Sequence, residues 1–537
     1  MHPGPASPPS ITPHWTQLGN TRIVLAIIAK RRGQDPCALL EAAVRDFDRA
    51  LALDDRAVET WHSRGAALAN LGNVLLRNGG DPEARYAEAL HDYGIAVEFD
   101  PERAEGHLRC GSVRTTWAHA RTLRGQDPTD LLQAARADLD RAVALAPGSS
   151  EAWLCRASLL NQIGVAAAQR GQSPEPVLLE AEADLGRAIA LAPGGAEGWE
   201  ARGIARVNLA DALFKSGRDP TPAFDGAIAD HTKAIELSGG AASSWYQRAV
   251  AHHNRGVWLH STGRDRSPWY QAALDDIARA LAVNPADPDG WLLKGSLCTD
   301  LGMGDLDHGR DPQPWFIQGE AAFDRALALR AGHLESHNRR GHLRMGCGNF
   351  RQTRGEDPTP DYQRALADFE TTLARSPDHL DTLFNRGMLR MNWTAWEQGN
   401  RRDPARLLGE AAADFARVVP IQPRHLDSWL QLGISQLGLG AHLQGVGQPG
   451  SARFEAAAHG FDRYLELRAG DPEALYQRGV ARLLRGRELR SGGADGKPDL
   501  RAALDDLEAS VRARPDAAHV PPWLAEARKA WAEAGGE

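Results

Sequence analysis

Four features of this sequence hold residue types that catalysis, metal binding or modification would use. Gly492-Gly493-Ala494-Asp495-Gly496-Lys497 has the glycines and the lysine of a phosphate-cradling loop. Its glycines are wrongly spaced for backbone N–H groups to converge on a phosphate, and Pro498 stands where a metal-binding Ser or Thr belongs. His252, His253 and His260 supply three imidazoles in one segment. The first two are adjacent, so on a helix they point in different directions, whereas a metal needs its ligands to converge. Cys37, Cys110, Cys155, Cys298 and Cys347 are scattered, odd in number and free of Cys-x-x-Cys spacing. They suit neither a disulfide framework nor a zinc site, and they fit a reducing compartment. Asn392-Trp393-Thr394 matches a glycosylation acceptor, but it falls in a stretch patterned as helix, and such acceptors are used on surface loops. No catalytic constellation emerges. The chain is expected not to be an enzyme and to hold no cofactor and no metal.

Regular spacing occurs elsewhere, in residues that position rather than react. Trp15, Trp61, Trp153, Trp199, Trp245, Trp291 and Trp429 lie on a grid of 46 residues, whose other points are His107, His337, Leu383 and Leu475. Four residues after each point stands a small residue: Gly19, Gly65, Gly111, Ala157, Gly203, Ala249, Gly295, Gly341, Gly387, Gly433 and Gly479. A further Ala column runs from Ala43 through Ala89 to Ala503, and Pro101, Pro147, Pro193, Pro285, Pro377, Pro423 and Pro515 close many units. Such self-similarity marks a stack of repeats, each burying its apolar face only against its neighbours. Within the units, Gly33-Gln34-Asp35-Pro36 recurs as Gly125-Gln126-Asp127-Pro128, Gly217-Arg218-Asp219-Pro220, Gly309-Arg310-Asp311-Pro312 and Gly355-Glu356-Asp357-Pro358. Glycine can end a helix in the left-handed conformation, Asp caps the next helix, and Pro suits its first turn. One unit is therefore a helix of roughly 20 residues, a tight turn and a helix of about 17, spanning about 30 Å and about 25 Å.

The small columns are expected to lie where the two helices of a hairpin meet. The Trp column is expected to fill space between hairpins as core rather than as a ligand cage. A basic column (Arg64, Arg156, Arg202, Arg248, Lys294, Arg340, Arg386, Arg478) faces an acidic one (Asp46, Asp92, Asp138, Asp184, Asp230, Asp276, Asp368, Asp414, Asp506). One unit loses both partners together, as Leu432 and Gly460. That joint loss predicts an Arg–Asp pair joining the helices and argues against a nucleic-acid stripe.

The order Trp-x-x-x-Gly, then Ala, an aromatic or Leu, Ala and Pro resembles the tetratricopeptide repeat of bacterial type. In the second unit it reads Trp61, Gly65, Leu68, Ala89, Tyr93, Ala96 and Pro101. That family repeats every ~34 residues, so each unit here is longer by about 12, added around the Gly-x-Asp-Pro turn. Surface loops tolerate insertions and deletions. The added length is nonetheless constant, which predicts that the extra turns are packed. The resemblance implies an all-α fold, an α-solenoid (a right-handed superhelix) of about eleven antiparallel helix hairpins. The expected organisation is a Pro-rich lead over 1–12, the repeat array over 13–515 and a capping helix within 516–537.

In that family the first helices line a concave groove that holds extended peptides or partner helices. The groove positions fall here on Asn70, Gln162, Asn208, Asn254 and Asn392, with His253, Met345 and Met391 in the neighbouring column. A carboxamide donates and accepts, which suits an extended backbone; the plainer reading is an Asn tolerated on an exposed helix face. Met345, Met388 and Met391 near Phe384 suggest an adaptable apolar pocket, with core filling as the alternative. Two residues before the Trp grid lie Glu59, Glu105, Glu151, Glu197, Asp289, Glu335, Asp381, Asp427 and Glu473. These would favour a basic partner in an open groove, but they also sit in first turns, where carboxylates complement the helix dipole.

Composition narrows the remaining classes. A formal charge of −8 is mild for 537 residues, and basic and acidic residues are interspersed. No Lys/Arg block indicates nucleic acid, and no basic amphipathic stretch indicates a membrane surface. The first ten residues lack the order of a signal peptide, and the apolar run Ile23 to Ala29 is too short to cross a bilayer. The expectation is a cytoplasmic scaffold that binds a protein or peptide, with neither nucleic acid nor membrane as partner. Two alternatives stand beside it: the sensor region of a kinase-associated bacterial signalling system, and a solenoid that self-associates end to end.

Overall fold

The computed structural model describes residues 12–32 and 34–536. Residues 1–11 of the expected Pro-rich lead and Gly33 of the first turn lie outside the described residues. The chain divides after Val283 into two compact units.

The first unit holds hairpins α1/α2 (Thr12–Arg31, Cys37–Leu51), α3/α4 (Val58–Arg77, Glu83–Phe99), α5/α6 (Ala104–Leu123, Thr129–Leu145), α7/α8 (Ser150–Gln169, Glu175–Leu191), α9/α10 (Ala196–Lys215, Thr221–Ser238) and α11/α12 (Ala242–Ser261, Ser267–Val283). The second holds α13/α14 (Pro288–Asp307, Gln313–Leu329), α15/α16 (Leu334–Thr353, Thr359–Arg375), α17/α18 (Leu380–Gly399, Ala405–Val418), α19/α20 (Leu426–Gly445, Ser451–Leu467), α21/α22 (Pro472–Ser491, Lys497–Ala513) and a final helix α23 (Val520–Glu533). The first helix of every hairpin is 20 residues long, and these helices begin 46 residues apart. No strand occurs among the described residues. Each unit is an all-α stack of antiparallel helix hairpins.

The turn chemistry works as the residue types predict. Asp127, Asp219, Asp311 and Asp357 each accept the backbone N–H two residues on at 3.0 Å, which caps the second helix. The glycine before each takes a left-handed φ of 69–74°. One hairpin departs: Arg401 holds that conformation at φ 56°, the lone non-glycine with positive φ among the described residues.

Each hairpin closes by setting a large side chain of its second helix against a small residue of its first. A Cβ on Gly19 would stand 2.6 Å from the Phe47 ring, and one on Gly387 would stand 2.7 Å from Phe415. The column tolerates Ala only at Ala157 and Ala249, where the partners are the aliphatic Leu185 and Ile277. Seven residues further along the first helix a second small–large layer repeats the arrangement, as Gly72 on Tyr86, Gly302 on Phe316 and Gly440 on Phe454. This layer lies toward the Gly-x-Asp-Pro turn, so the added length is packed and buries its own side chains (Tyr86, Tyr270, Phe224 and Tyr362 among them).

The predicted Arg–Asp staple is present and bidentate in all seven hairpins that hold both residues. In each, Nε and one Nη of the arginine donate to the two carboxylate oxygens, as between Arg156 and Asp184 at 2.7 Å and 2.7 Å. A second column, one turn further along the first helix, reaches the same carboxylate: Arg206 to Asp230, Arg344 to Asp368 and Arg482 to Asp506, each at 2.8 Å. Asp46 and Asp138 lack the first arginine, since Leu18 and Cys110 stand there, and are held by Arg22 and Arg114 of this second column. The nearly invariant Asp follows from two sources of positive charge. It is buried, and an unpaired buried carboxylate is costly.

The Trp column divides. Trp153 and Trp429 are buried in core clusters, as expected, whereas Trp61, Trp199, Trp245 and Trp291 are half-buried. Trp61, Trp153, Trp199, Trp291 and Trp429 are held by edge and face. Trp245 is held by its face, under Arg248 and Arg279. Nε1 donates to the carbonyl six residues back, as from Trp153 to Pro147 at 2.8 Å and Trp429 to Pro423 at 2.9 Å. Arginines stack on the ring, with Arg156 and Arg187 at 4.9 Å and 4.6 Å from the Trp153 centroid. An indole N–H must find an acceptor when desolvated, and the turn between hairpins supplies one. The Trp therefore pins that turn, and at Trp153 and Trp429 it fills core as well.

Candidate partner-binding face

Within each unit, the backbones of successive odd-numbered helices approach closely, whereas successive even-numbered helices meet only through long side chains, as Arg136 to Glu180 at 2.7 Å and Arg364 to Glu320 at 2.5 Å. The odd-numbered helices thus form the inner, more closely spaced side of each stack. All the groove candidates lie on this side.

The structure brings several of them together across neighbouring hairpins. Asn208 Nδ2 donates to Asn161 Oδ1 at 2.8 Å, and Asn392 Nδ2 donates to Asn349 Oδ1 at 3.1 Å. Asn254 Nδ2 lies 3.5 Å from Asp211 Oδ2, and Asn385 donates to Asn338 at 3.2 Å. Asn70 turns back on its own helix and donates to the Ala66 carbonyl at 3.0 Å. Gln162 is half-buried on α7, and His253 sets its ring 5.5 Å from that of Tyr270. These carboxamides form inter-hairpin links because adjacent first helices are staggered so that residues 47 or 43 apart, one beyond or three short of the repeat, come together. A carboxamide has two donor hydrogens and an oxygen that accepts twice, so each link leaves polar capacity on the inner face. Asn161 stands in the same neighbouring column as His253, Met345 and Met391, whereas Asn349 lies three residues beyond the Asn column and Asn338 and Asn385 lie seven residues before the candidate columns, where spacing does not mark them.

The methionines divide. Met345 is buried among Tyr362, Phe369, Leu389 and Trp393 and backs the face from behind. Met391 and Met388 are partly buried beside Phe384, against Phe415 and Trp429. Phe384 meets His425 edge-on at 5.3 Å. A small cavity of about 150 Å³ opens beside them, walled by Asn338, Arg339, Asp381, Phe384, Asn385 and His425. A larger recess of about 400 Å³ lies between α3 and α5, walled by Glu59, His62, Asn70, Asn73, Glu105 and Arg109. The acidic column does more than complement dipoles: Glu59 accepts from Arg103 at 2.6 Å and Glu151 from Arg109 at 2.8 Å, which ties one hairpin to the next.

A third cleft, of about 640 Å³, sits nearer the turns of α7/α8 and α9/α10. Its wall includes Val165, Ala168, Leu178, Asn208, Asp211 and Ala212. Burial pushes the Asp211 carboxyl up to about 6, partly offset by the positive fields of Lys215 and His253. No sequence motif marked Asp211.

The other candidate chemistry is dispersed. His252 lies 3.1 Å from Asp276 in the staple register, where other hairpins carry the second arginine. Among the described residues no group of three or more His, Cys, Asp or Glu is placed to hold a metal. The Gly492–Lys497 stretch is another hairpin turn, with Gly493 at φ 80° and Asp495 accepting the Lys497 N–H at 3.0 Å. Thr394 of the glycosylation-like triplet is buried inside α17. The five cysteines are free thiols, and no helix among the described residues is long and apolar enough to cross a membrane.

The two ends of the array differ. Val24, Leu25, Ile27 and Ile28 of α1 are exposed. The helix α23 instead buries Val520, Leu524, Ala527 and Ala530 against Leu500, Leu504 and Leu507.

No protein-family model matches the chain, and no curated protein matches it. Among solved structures it is similar to the human IFIT1 dimer with m7Gppp-AAAA, at 14% identity and a TM-score of 0.42, over 95% of this chain and 96% of that one. It is similar to yeast Tom70 at 12% identity and a TM-score of 0.35, over 98% of this chain and 96% of that one. A tetratricopeptide repeat protein from Parabacteroides merdae is 16% identical with a TM-score of 0.34, over 60% of this chain and 98% of that one.

Proposed function

We propose that the chain is a non-catalytic scaffold whose inner, odd-helix face binds an extended protein or peptide segment. The observation that carries this reading is the carboxamide ladder. Two registers recur in each unit: Asn208–Asn161 and Asn385–Asn338 join residues 47 apart, and Asn254–Asp211 and Asn392–Asn349 join residues 43 apart. A recurring set of groups that both donate and accept fits the regular donors and acceptors of an extended backbone. The recess at His62 in the first unit and that at Phe384 in the second would each receive a side chain of a segment bound to that unit. The reading extends to a cytoplasmic setting, as the cysteine usage suggests.

A displayed library of random peptides, panned on the full chain, tests it. Selected peptides are expected to lose at least tenfold in affinity on Asn208→Trp, Asn254→Trp and Asn392→Trp, with unchanged melting. Peptides that bind all three variants as well as the parent would refute the inner-face reading. Random-sequence RNA binding more tightly than any peptide would move the function to nucleic acid.

The exposed apolar run on α1 supports self-association as a second reading. Light scattering over a concentration series should then show a mass increase that Val24→Glu with Ile28→Glu removes. A constant monomer mass ends that reading.

A further inference from the structure

The cleft between α7/α8 and α9/α10 exists because two positions are alanine there and aromatic one hairpin later. Ala168 and Ala212 line it. The equivalents of these residues at the next step are Phe214 and Trp258, which pack with Phe224 and Ala210 and fill the corresponding space. At the step from α15/α16 to α17/α18, Trp396 is the equivalent of Ala212 and packs in the cluster of Tyr362, Trp393 and Leu407, while Gln352 stands at the equivalent of Ala168. The cleft is therefore an omission of side chains that the fold accommodates elsewhere.

Its lining is matched to one chemistry. Val165, Ala168, Leu178 and Ala212 give an apolar wall. Asn208 and Asp211, three residues apart on α9, share a face. Asn208 spends a donor hydrogen on Asn161, which leaves its oxygen to accept. Asp211 is half-buried, with the Asn254 amide 3.5 Å away and the positive fields of Lys215 and His253 reaching it, but it forms no ion pair among the described residues. At the rim the Arg218 charge is already bonded to Glu175 at 2.9 Å, while Lys215 is exposed. An apolar stem that ends in two acceptors, one of them a partly desolvated carboxylate, calls for a cation on an aliphatic chain.

We infer that this cleft takes an arginine or lysine side chain of the bound segment, with its stem along Val165, Ala168 and Ala212 and its head between Asn208 and Asp211. Arginine is the better occupant, because its planar fork can serve two acceptors at once. The inference rests on the reading that a protein segment lies along the odd-numbered helices, and it adds a cationic anchor to that segment.

The test titrates the full chain with N-acetyl-arginine methylamide, N-acetyl-lysine methylamide and the neutral isostere N-acetyl-citrulline methylamide, followed by saturation-transfer NMR. Saturable binding of the two cations is expected, with citrulline at least tenfold weaker. Asp211→Asn should weaken arginine at least tenfold. Ala212→Trp, or Ala168→Phe should the first variant not fold, should abolish binding by installing the residue of the next step. Lys215→Met should leave binding equal or tighter. Citrulline binding as well as arginine, an absence of saturable binding, or full binding to the filled variant each overturns the inference. Panning the peptide library on Ala212→Trp separates the two ideas. Peptides that still depend on Asn254 and Asn392 but carry no basic preference on the parent chain sink the anchor alone. Capped arginine that binds while no peptide is selected sinks the extended-segment reading alone.

Discussion

Replacing His231 by phenylalanine should stabilise the α9/α10 hairpin. His231 occupies the slot that holds Phe47, Phe323, Phe369, Phe415 and Phe461 in other hairpins, pressed against the small residue of the first helix (here Gly203). The ring is fully buried, and neither nitrogen has a hydrogen-bond partner among the described residues. Leaving a buried polar group unsatisfied costs about 1–3 kcal/mol, so His231→Phe should gain on that order. The slot also makes a pH prediction. Burial depresses the imidazole from 6.5 to about 4, outweighing the attraction of Asp230, while Arg248 and His252 push the same way as burial. The folded state then binds this proton less tightly than the unfolded chain. The stability that comes from keeping the ring neutral is complete above pH 6.5 and is lost as pH falls toward about 4. A depression of this size corresponds to roughly 3 kcal/mol across the window. The assay is amide hydrogen exchange of α9 and α10 between pH 4 and 7, which reads local opening in an array that need not unfold in one step. The parent hairpin should lose protection on acidification, beyond the intrinsic pH dependence of exchange, and His231→Phe should largely remove that loss. A variant less protected than the parent at pH 7, or one with the same acid sensitivity, would refute the reasoning.

Three further outcomes follow from the same geometry. Arg401→Gly should raise stability by about 1 kcal/mol, because a side chain in the left-handed region is strained and glycine is not; thermal melting checks it, and a lower melting temperature counts against it. Arg156→Ala should cost about 3–5 kcal/mol, since Asp184 is left buried and without its staple. Arg344→Ala should cost clearly less, because Arg340 still holds Asp368 at 2.6 Å; urea titrations of the two variants with equal midpoints would contradict the two-source account of the aspartate. Gly387→Ala should cost about 1–3 kcal/mol by forcing a Cβ into the Phe415 ring, whereas Gly479→Ala, opposite the aliphatic Leu507, should cost less; denaturant midpoints in the reverse order would break the small–large rule.

Much of this fold was legible because it is local and repeated. Helix propensity, the Gly-x-Asp-Pro turn and the 46-residue spacing act within one hairpin, and each unit restates them, so the register of Gly19 and its equivalents needed no tertiary information. The Arg–Asp staple was also legible, since the loss of both residues at Leu432 and Gly460 exposed the pairing. The second arginine column was present in the sequence too, at Arg22, Arg114, Arg206, Arg344, Arg390 and Arg482. It shares its aspartates with the first column, so no unpaired partner in the sequence singles it out.

What only the tertiary structure decided lies between hairpins. Which side chains of adjacent first helices meet depends on the rotation and stagger of one hairpin on the next, and no spacing within a single unit encodes these. That is why Asn208 bonds to Asn161 rather than standing free, why some indoles are half-buried and pin turns while Trp153 and Trp429 also fill core, and why Met345 is buried among Tyr362, Phe369 and Trp393. It is also why Ala168 and Ala212 matter. Each is an ordinary alanine in sequence, and the two become a cleft only when the packing places them opposite one another beside the half-buried Asp211.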